Sequence, residues 1–381
     1  MRRVSLLASI ALMALAAGLC HCRAESKPGR DDLFICAYYP AWNQDNGRMP
    51  IDRIDFSAFS HIMHFCINPG DDGVIDPEKS GITSLQSLAL VRAAHEAGCK
   101  VLVCLGGADS AEQIRKGLTD AARPKLVRSL VQFVTTRGYD GLDLDMEPIQ
   151  NSDVPNFERL VHELRAQLNA ADRRLLLTAA VAWQPAMFAR LQPELDRINI
   201  MTYDLSGPWP GFESWYNAPI LSGKQKMKAG GGPMPSADGL VQEWEKAGVA
   251  PRKLGIGVAF YGYVWTGVSG PQQNIRDVKE YAPVDYYAIM DQYYTPDRYH
   301  WDSRAKAPYL SVDAPQVPDR RFISFDDQRL CAAKVAYVRR RGLGGLIIWE
   351  LGGGYRADQP AGRRDPLLQA IKRAWRRGCR H

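Results

Sequence analysis

Beyond residue 30 the chain alternates between short apolar runs and longer segments whose apolar residues recur three and four positions apart. The short runs read as strands: LFICAYY from Leu33, HIMHFCI from His61, KVLVCLGG from Lys100, YDGLDLDME from Tyr139, LLLTAAVAW from Leu175, RINIMTYD from Arg197, KLGIGVAFYG from Lys253 and GLIIWEL from Gly345. Segments such as SLQSLALVRAAHEAG, PKLVRSLVQFVTTRG and VPNFERLVHELRAQLNAA read as the amphipathic helices between them. Such alternation builds a parallel sheet, because each helix returns the chain to start the next strand in the same direction. Eight units predict an α/β fold of the closed (β/α)8 TIM-barrel type, with the active site at the C-terminal ends of the strands. An open doubly wound sheet is disfavoured, since no glycine-rich phosphate turn follows the first strand. The stretch from Tyr263 to Phe322, rich in tyrosine, proline and aspartate, is too long for a simple loop. It predicts a small α+β insertion at about residues 263–322, after the seventh strand and beside the barrel's mouth.

The fourth run is unusual in its acids. On a strand, Asp143, Asp145 and Glu147 share one face while Leu142, Leu144 and Met146 take the other. In a barrel the apolar set packs on the helices and the acids point inward, with alternate residues roughly 7 Å apart along the strand. Carboxylates held so close cannot all ionise comfortably, so one keeps a proton at neutral pH. Glu147, at the strand's C-terminal end, is best placed to donate that proton to a substrate. The alternative use of such acids, a calcium site, takes its ligands from a loop and not from a strand. No metal and no cofactor is expected.

Composition adds compartment and partners. The chain has 381 residues, 24% of them charged, and a formal net charge of +6, the profile of a folded globular protein. Residues 1–24 predict a secretory signal: Arg2 and Arg3 precede an apolar run too short to span a bilayer comfortably. Cys20 invites lipid attachment, but Leu19 before it is bulkier than such a site usually accepts. The remainder, 25–381, reads as one barrel that keeps Cys36, Cys66, Cys99, Cys104, Cys331 and Cys379. Export permits disulfides, yet Cys36, Cys66 and Cys104 lie in strand-like runs and serve equally well as buried thiols. The basic clusters RRR at 339–341 and KRAWRR at 372–377 read as solvated helix faces, with no nucleic-acid recognition motif nearby. The expectation is a secreted or periplasmic monomer that has no stable membrane span and does not bind nucleic acid.

Several motifs, in order, carry a family resemblance. DGLDLDME resembles the D-x-x-D-x-D-x-E signature of glycoside hydrolase family 18, the chitinases and related endo-N-acetylglucosaminidases, matched by Asp140, Asp143, Asp145 and Glu147. KVLVCLGG is similar to the family's third-strand S-x-G-G, with Cys104 where serine is usual. IMTYDLSG resembles its sixth-strand M-x-Y-D on Met201, Tyr203 and Asp204; FYGYVW its seventh-strand F-Y-G; GLGGLIIWEL its eighth strand, whose tryptophan matches Trp349. WDSRAKAPYL resembles the end of an insertion domain found in one branch.

The resemblance implies a retaining hydrolysis in which the substrate's own 2-acetamido group is the nucleophile. Glu147 is implied as general acid and then base. Asp145 would hold the acetamido N–H and steady the oxazolinium charge, Asp143 would share its proton from below, and Tyr203 would bond the acetamido oxygen. The implied substrate is chitin or its N-acetylglucosamine oligomers. One alternative is an endo-N-acetylglucosaminidase on N-glycans or peptidoglycan; a chitin-binding lectin is the second, and Glu147 counts against it because family lectins usually lack that acid. Trp349 is implied as the floor beneath the sugar, and Met201, Asp204, Tyr38, Trp42, Trp183 and Tyr261 as further substrate contacts, with Tyr263 behind them. Asp140 falls out of phase and is expected to brace the strand. Trp42, Trp183, Trp209, Trp215, Trp265 and Trp349 are expected on the upper rim, Trp244 and Trp375 in the core. The sequence departs from the family at Met146 and Pro148, where aromatics are common, and at Tyr263, where arginine commonly follows F-Y-G.

Overall fold

The computed structural model describes residues 33–377, except 46, 229 and 314–319. The expected signal segment, Cys20 and Cys379 lie outside the described residues. Strands β1 (Phe34–Pro40), β2 (His61–Ile67), β3 (Lys100–Gly107), β4 (Gly141–Met146), β5 (Leu176–Val181), β6 (Arg197–Ile200) and β7 (Leu254–Ala259) form seven staves of a parallel barrel. The chain then leaves it for an antiparallel sheet, β8 (Tyr261–Thr266), β9 (Glu280–Asp285), β10 (Tyr299–Asp302), β11 (Ala307–Val312) and β12 (Arg321–Phe325), before β13 (Gly345–Trp349) closes the barrel against β1. The closed eight-stranded α/β barrel with an insertion after its seventh strand is the architecture that the alternation predicts.

The strand period sorts the side chains into two cores. Leu142, Leu144 and Met146 face outward into the layer between sheet and helices, where they join Leu130, Phe133, Phe157 and Leu164. The inner face packs Cys36, Tyr38, Met63, Leu102, Cys104 and Ala180 around the barrel axis. Local signals fix the helix ends: Thr83 and Gln86 form a capping box at the helix 84–96, Ser236 accepts from Gly239 N–H, and Asp327 accepts from Leu330 N–H.

The seventh apolar run is one long strand in the sequence and two in the structure. At Phe260 the backbone N–H turns to the Trp349 carbonyl and the carbonyl accepts from Tyr286 N–H, so that β8 departs in a new sheet. That sheet has its own core of Trp265, Phe322, Val268 and Ala307, joined by Trp215 and Tyr216 from the loop after β6. Trp215 and Trp265 are therefore fully buried, not on the rim: the insertion supplies the apolar partners that cover them. Trp244 is core as expected.

Where the insertion returns, Asp326 and Lys334 are both buried and pair at 2.6 Å. Lys334 also donates to the Gly257 carbonyl, and Asp326 accepts from Ala259 N–H, which fastens the return to β7. The five described cysteines, Cys36, Cys66, Cys99, Cys104 and Cys331, are free thiols, four of them buried. Among the described residues no helix is long and apolar enough to cross a membrane.

Candidate active site

Strand β4 delivers the acids. It runs between β3 and β5 with Asp143 level with Cys104 and Thr178, and Asp145 level with Gly106. Gly106 has φ +101°, and a Cβ there would come within 2.3 Å of the Asp145 carbonyl, so the end of β3 can lie this close to β4 only without a side chain. Asp143 is sealed inside the barrel, where Tyr38 Oη donates to its Oδ2 at 2.7 Å and Thr178 Oγ1 donates to its Oδ1. Asp145, one step nearer the mouth, is also buried, and its Oδ1 has no hydrogen-bond partner. Glu147 follows at the strand's end.

Tyr203 comes from the chain just beyond β6. Its ring lies across β7 at Gly257, where a Cβ would sit 2.5 Å from the ring carbons; glycine is required for the tyrosine to reach the axis. Asp204 beside it has φ 56°, a left-handed conformation that aspartate tolerates better than most residues. Its N–H donates to Asn217 Oδ1 at 2.8 Å, and its Oδ1 accepts from Tyr261 Oη at 2.6 Å.

Burial governs the protonation of this column. It raises Asp143 above the ordinary carboxylate range, against hydrogen bonds that lower it. It raises Asp145 well above that range, reinforced by the charges of Glu147 and Asp143. Burial, then the charge of Asp204, pushes Glu147 up to about 7. Asp204 is itself raised by burial. The column therefore holds its protons more tightly than separate carboxyls would, as the crowding of acids on one strand face predicts.

Asp145, Glu147, Tyr203, Trp349, Met201, Asp204, Tyr38, Trp183 and Tyr261 line one cavity of about 470 Å³ at the C-terminal end of the barrel. Asp143 sits below it. Trp42 stands apart: it is 47% exposed and packs edge-on against Phe65, which in turn packs against Trp349, so it belongs to the rim and not to the wall. Asp140 faces away, accepting from Val101 N–H at 2.8 Å and pairing with His95. Trp209, 46% exposed, completes the wall beside Trp183. A second cavity of about 350 Å³ shares Asp204, Tyr261 and Trp349 with the first and is bounded by Tyr263, Asp285 and Glu350, which makes the insertion part of the groove.

Sequence reasoning missed Thr178, whose hydroxyl holds Asp143. The signal was present, since it is the polar residue of an otherwise apolar strand run. It also missed the small wall residues Ala108 and Ala182, which nothing in the sequence distinguishes. No group of metal-ligating side chains occurs among the described residues.

This arrangement can protonate a leaving group and stabilise a neighbouring cation within one enclosed, aromatic-walled space. The chain is 30% identical to a probable endochitinase of Caenorhabditis elegans over 66% of its length and 31% identical to chitinase A1 of Niallia circulans over 62%. It spans only 43% and 38% of those two proteins. The crystal structure of catalytic domain 2 of an Ostrinia furnacalis group II chitinase superposes with a TM-score of 0.76 at 26% identity, over 91% of this chain and 97% of that one. A mutant of that domain in complex with penta-N-acetylchitooctaose fits with the same TM-score at 25% identity, over the same shares. The pattern described as Glycosyl hydrolases family 18 matches residues 35–354, from the first barrel strand to just past the last, and the chain belongs to that family.

Proposed function

We propose that the protein is a retaining chitinase, hydrolysing β-1,4-linked N-acetylglucosamine polymers or oligomers with the substrate's acetamido group as nucleophile. The observation that carries this reading is Asp145: a buried carboxyl in the cavity wall with an oxygen that has no partner, one strand step from a Glu147 poised at about 7. An unmatched buried acceptor costs free energy unless a ligand group satisfies it, and an acetamido N–H has the right chemistry.

In this reading Glu147 gives its proton to the glycosidic oxygen as the C1–O bond breaks. The acetamido carbonyl oxygen closes on C1 from the opposite face, forming a cyclic oxazolinium. Asp145 accepts the acetamido N–H and balances the positive charge, while Tyr203 Oη donates to the acetamido oxygen and aligns it. Glu147, now a carboxylate, takes a proton from water as that water opens the ring, and two inversions give net retention. Asp143, bonded by Tyr38 and Thr178, fixes the lower end of the proton-sharing column. Trp349 supplies an apolar floor for the sugar, and the rings of Trp183 and Trp209 extend the wall for further units. No cofactor or metal takes part. Export directed by residues 1–24, and a monomeric state, belong to the same proposal.

The test is product analysis by mass spectrometry on N-acetylated chitin oligomers beside fully deacetylated ones, N-glycans and peptidoglycan. Cleavage of the N-acetylated chitin oligomers, none of the deacetylated ones, and inhibition by an N-acetylglucosamine thiazoline are expected. Efficient hydrolysis of the deacetylated chains would replace the acetamido nucleophile with a protein one.

A further inference from the structure

The two ends of the barrel differ in their ionisable groups: carboxyls that burial holds above their ordinary range gather at one, exposed cations at the other. The C-terminal end gathers Asp145, Glu147 and Asp204 in one cavity and Asp285 and Glu350 in the next. The N-terminal end, where the strands begin, is cationic. Lys100 heads β3, Arg173 precedes β5, Arg252 precedes β7, and Arg340 lies in the last turn of the helix 328–341 that leads into β13; all four are exposed. Arg339 donates to the Trp375 carbonyl, which sets the end of the C-terminal helix 366–377 beside that turn and brings the exposed Arg376 and Arg377 to the same rim.

These charges act on one another. Besides burial, Lys100 and Arg197 hold His61, at the start of β2, down at about 3. Burial together with Arg197 and Arg252 lowers Lys253 against the pull of nearby acids. Carboxylates at this end are paired with other cations: Asp172 with Arg174, Asp196 with Arg165, Asp55 with Lys372 and Glu245 with Arg341. Cations in the last turns of helices 328–341 and 366–377 complement the helix dipoles, but Lys100 starts a strand and Arg252 sits in a short 3-10 turn, so the dipole does not account for them.

The cations are spread around a barrel end and not along a groove, which suits a surface better than a strand of polymer. We propose that the N-terminal face of the barrel docks on a bilayer rich in anionic phospholipid headgroups, leaving the catalytic cleft pointing away from the membrane. One cation against an anionic leaflet is worth about fivefold in affinity, so a ring of them gives appreciable, salt-sensitive binding.

Sedimentation of the full chain with vesicles of phosphatidylcholine, or of equal parts phosphatidylcholine and phosphatidylglycerol, tests this. The anionic vesicles should bind at least about tenfold more tightly at low salt, with the difference lost at high salt. The double variants Arg252→Glu/Arg376→Glu and Lys100→Glu/Arg340→Glu should each abolish that preference while unfolding thermally like the parent. Lys125→Glu/Arg128→Glu, which makes the same change of net charge on the exposed flank of helix 123–136, should keep it. Equal binding to both vesicle types would overturn the proposal, as would equal loss in the flank variant, or binding to soluble polyphosphate with none to vesicles.

Discussion

Two groups of buried carboxyls, Asp326 just after β12 and against β7, and Asp143 with Asp145 on β4, are neutralised in different ways. Asp326, behind β7, sits 2.6 Å from the equally buried Lys334, and the pair is electrically balanced whichever partner holds the proton. Asp143 and Asp145, inside the barrel, have no such cation; what acts on them is burial, one another, Glu147 and hydrogen bonds from neutral groups. The first arrangement fastens the insertion to the barrel. The second holds shared protons in place of a cation, and a carboxyl in such a group, Glu147 at about 7, can do acid chemistry. What marks a buried acid as chemical here is the absence of a built-in counter-charge, not its burial.

Changes on each side of this contrast should fail in different assays. Glu147→Gln preserves shape but removes the proton, so turnover of N-acetylated oligomers should fall by at least about 10²-fold while the oligomers still bind, as isothermal titration would show. Near-parental turnover would remove Glu147 from the chemistry. Lys334→Met leaves Asp326 buried without its cation and should cost about 3–5 kcal/mol of stability in denaturant titration, with the pH dependence of catalysis unchanged. Replacing both partners, Lys334→Met with Asp326→Leu, should restore most of the loss. If the double variant is no more stable than the single one, the pair is not a self-contained unit.

Tyr203→Phe should cost about 1–3 kcal/mol of transition-state stabilisation, read from kcat/KM, because one hydrogen bond to the acetamido oxygen is lost in a buried place. The smallest effect belongs to the exposed wall. Trp183→Ala should weaken binding of long oligomers by on the order of 1 kcal/mol and leave the shortest cleavable substrate almost unaffected. Equal losses on both lengths would place Trp183 against the sugar at the cleaved bond.

Much of the barrel was legible because its signal is local. Each inner or outer position of β4 follows from the period of two, so Asp143 and Leu144 declare their faces without knowledge of the neighbours. The insertion was legible only as an interruption. Its fold rests on pairings between residues far apart, such as Trp265 level with Phe322, and no periodicity announces them. The same reason hid the burial of Trp215, which is covered by the insertion sheet from a different part of the chain. Within the site, the acids and Tyr203 stand in motifs, whereas Thr178 reaches Asp143 through strand register alone. Trp42 shows the converse: its position after β1 suggests the wall, but Phe65 stands between it and Trp349.

Burial without a counter-ion, with the charge of Asp204 beside it, keeps Glu147 protonated up to about 7. The most direct test is the pH dependence of kcat/KM on a soluble N-acetylated oligomer, which reports the free enzyme's essential acid. Since the protonated form is the active one, kcat/KM should hold below the pKa and fall about tenfold per pH unit once pH rises through about 7. The limb should stay in place in Lys334→Met. A rate that stays flat to about pH 9, or a limb near the ordinary glutamate value of about 4.3, would contradict the account.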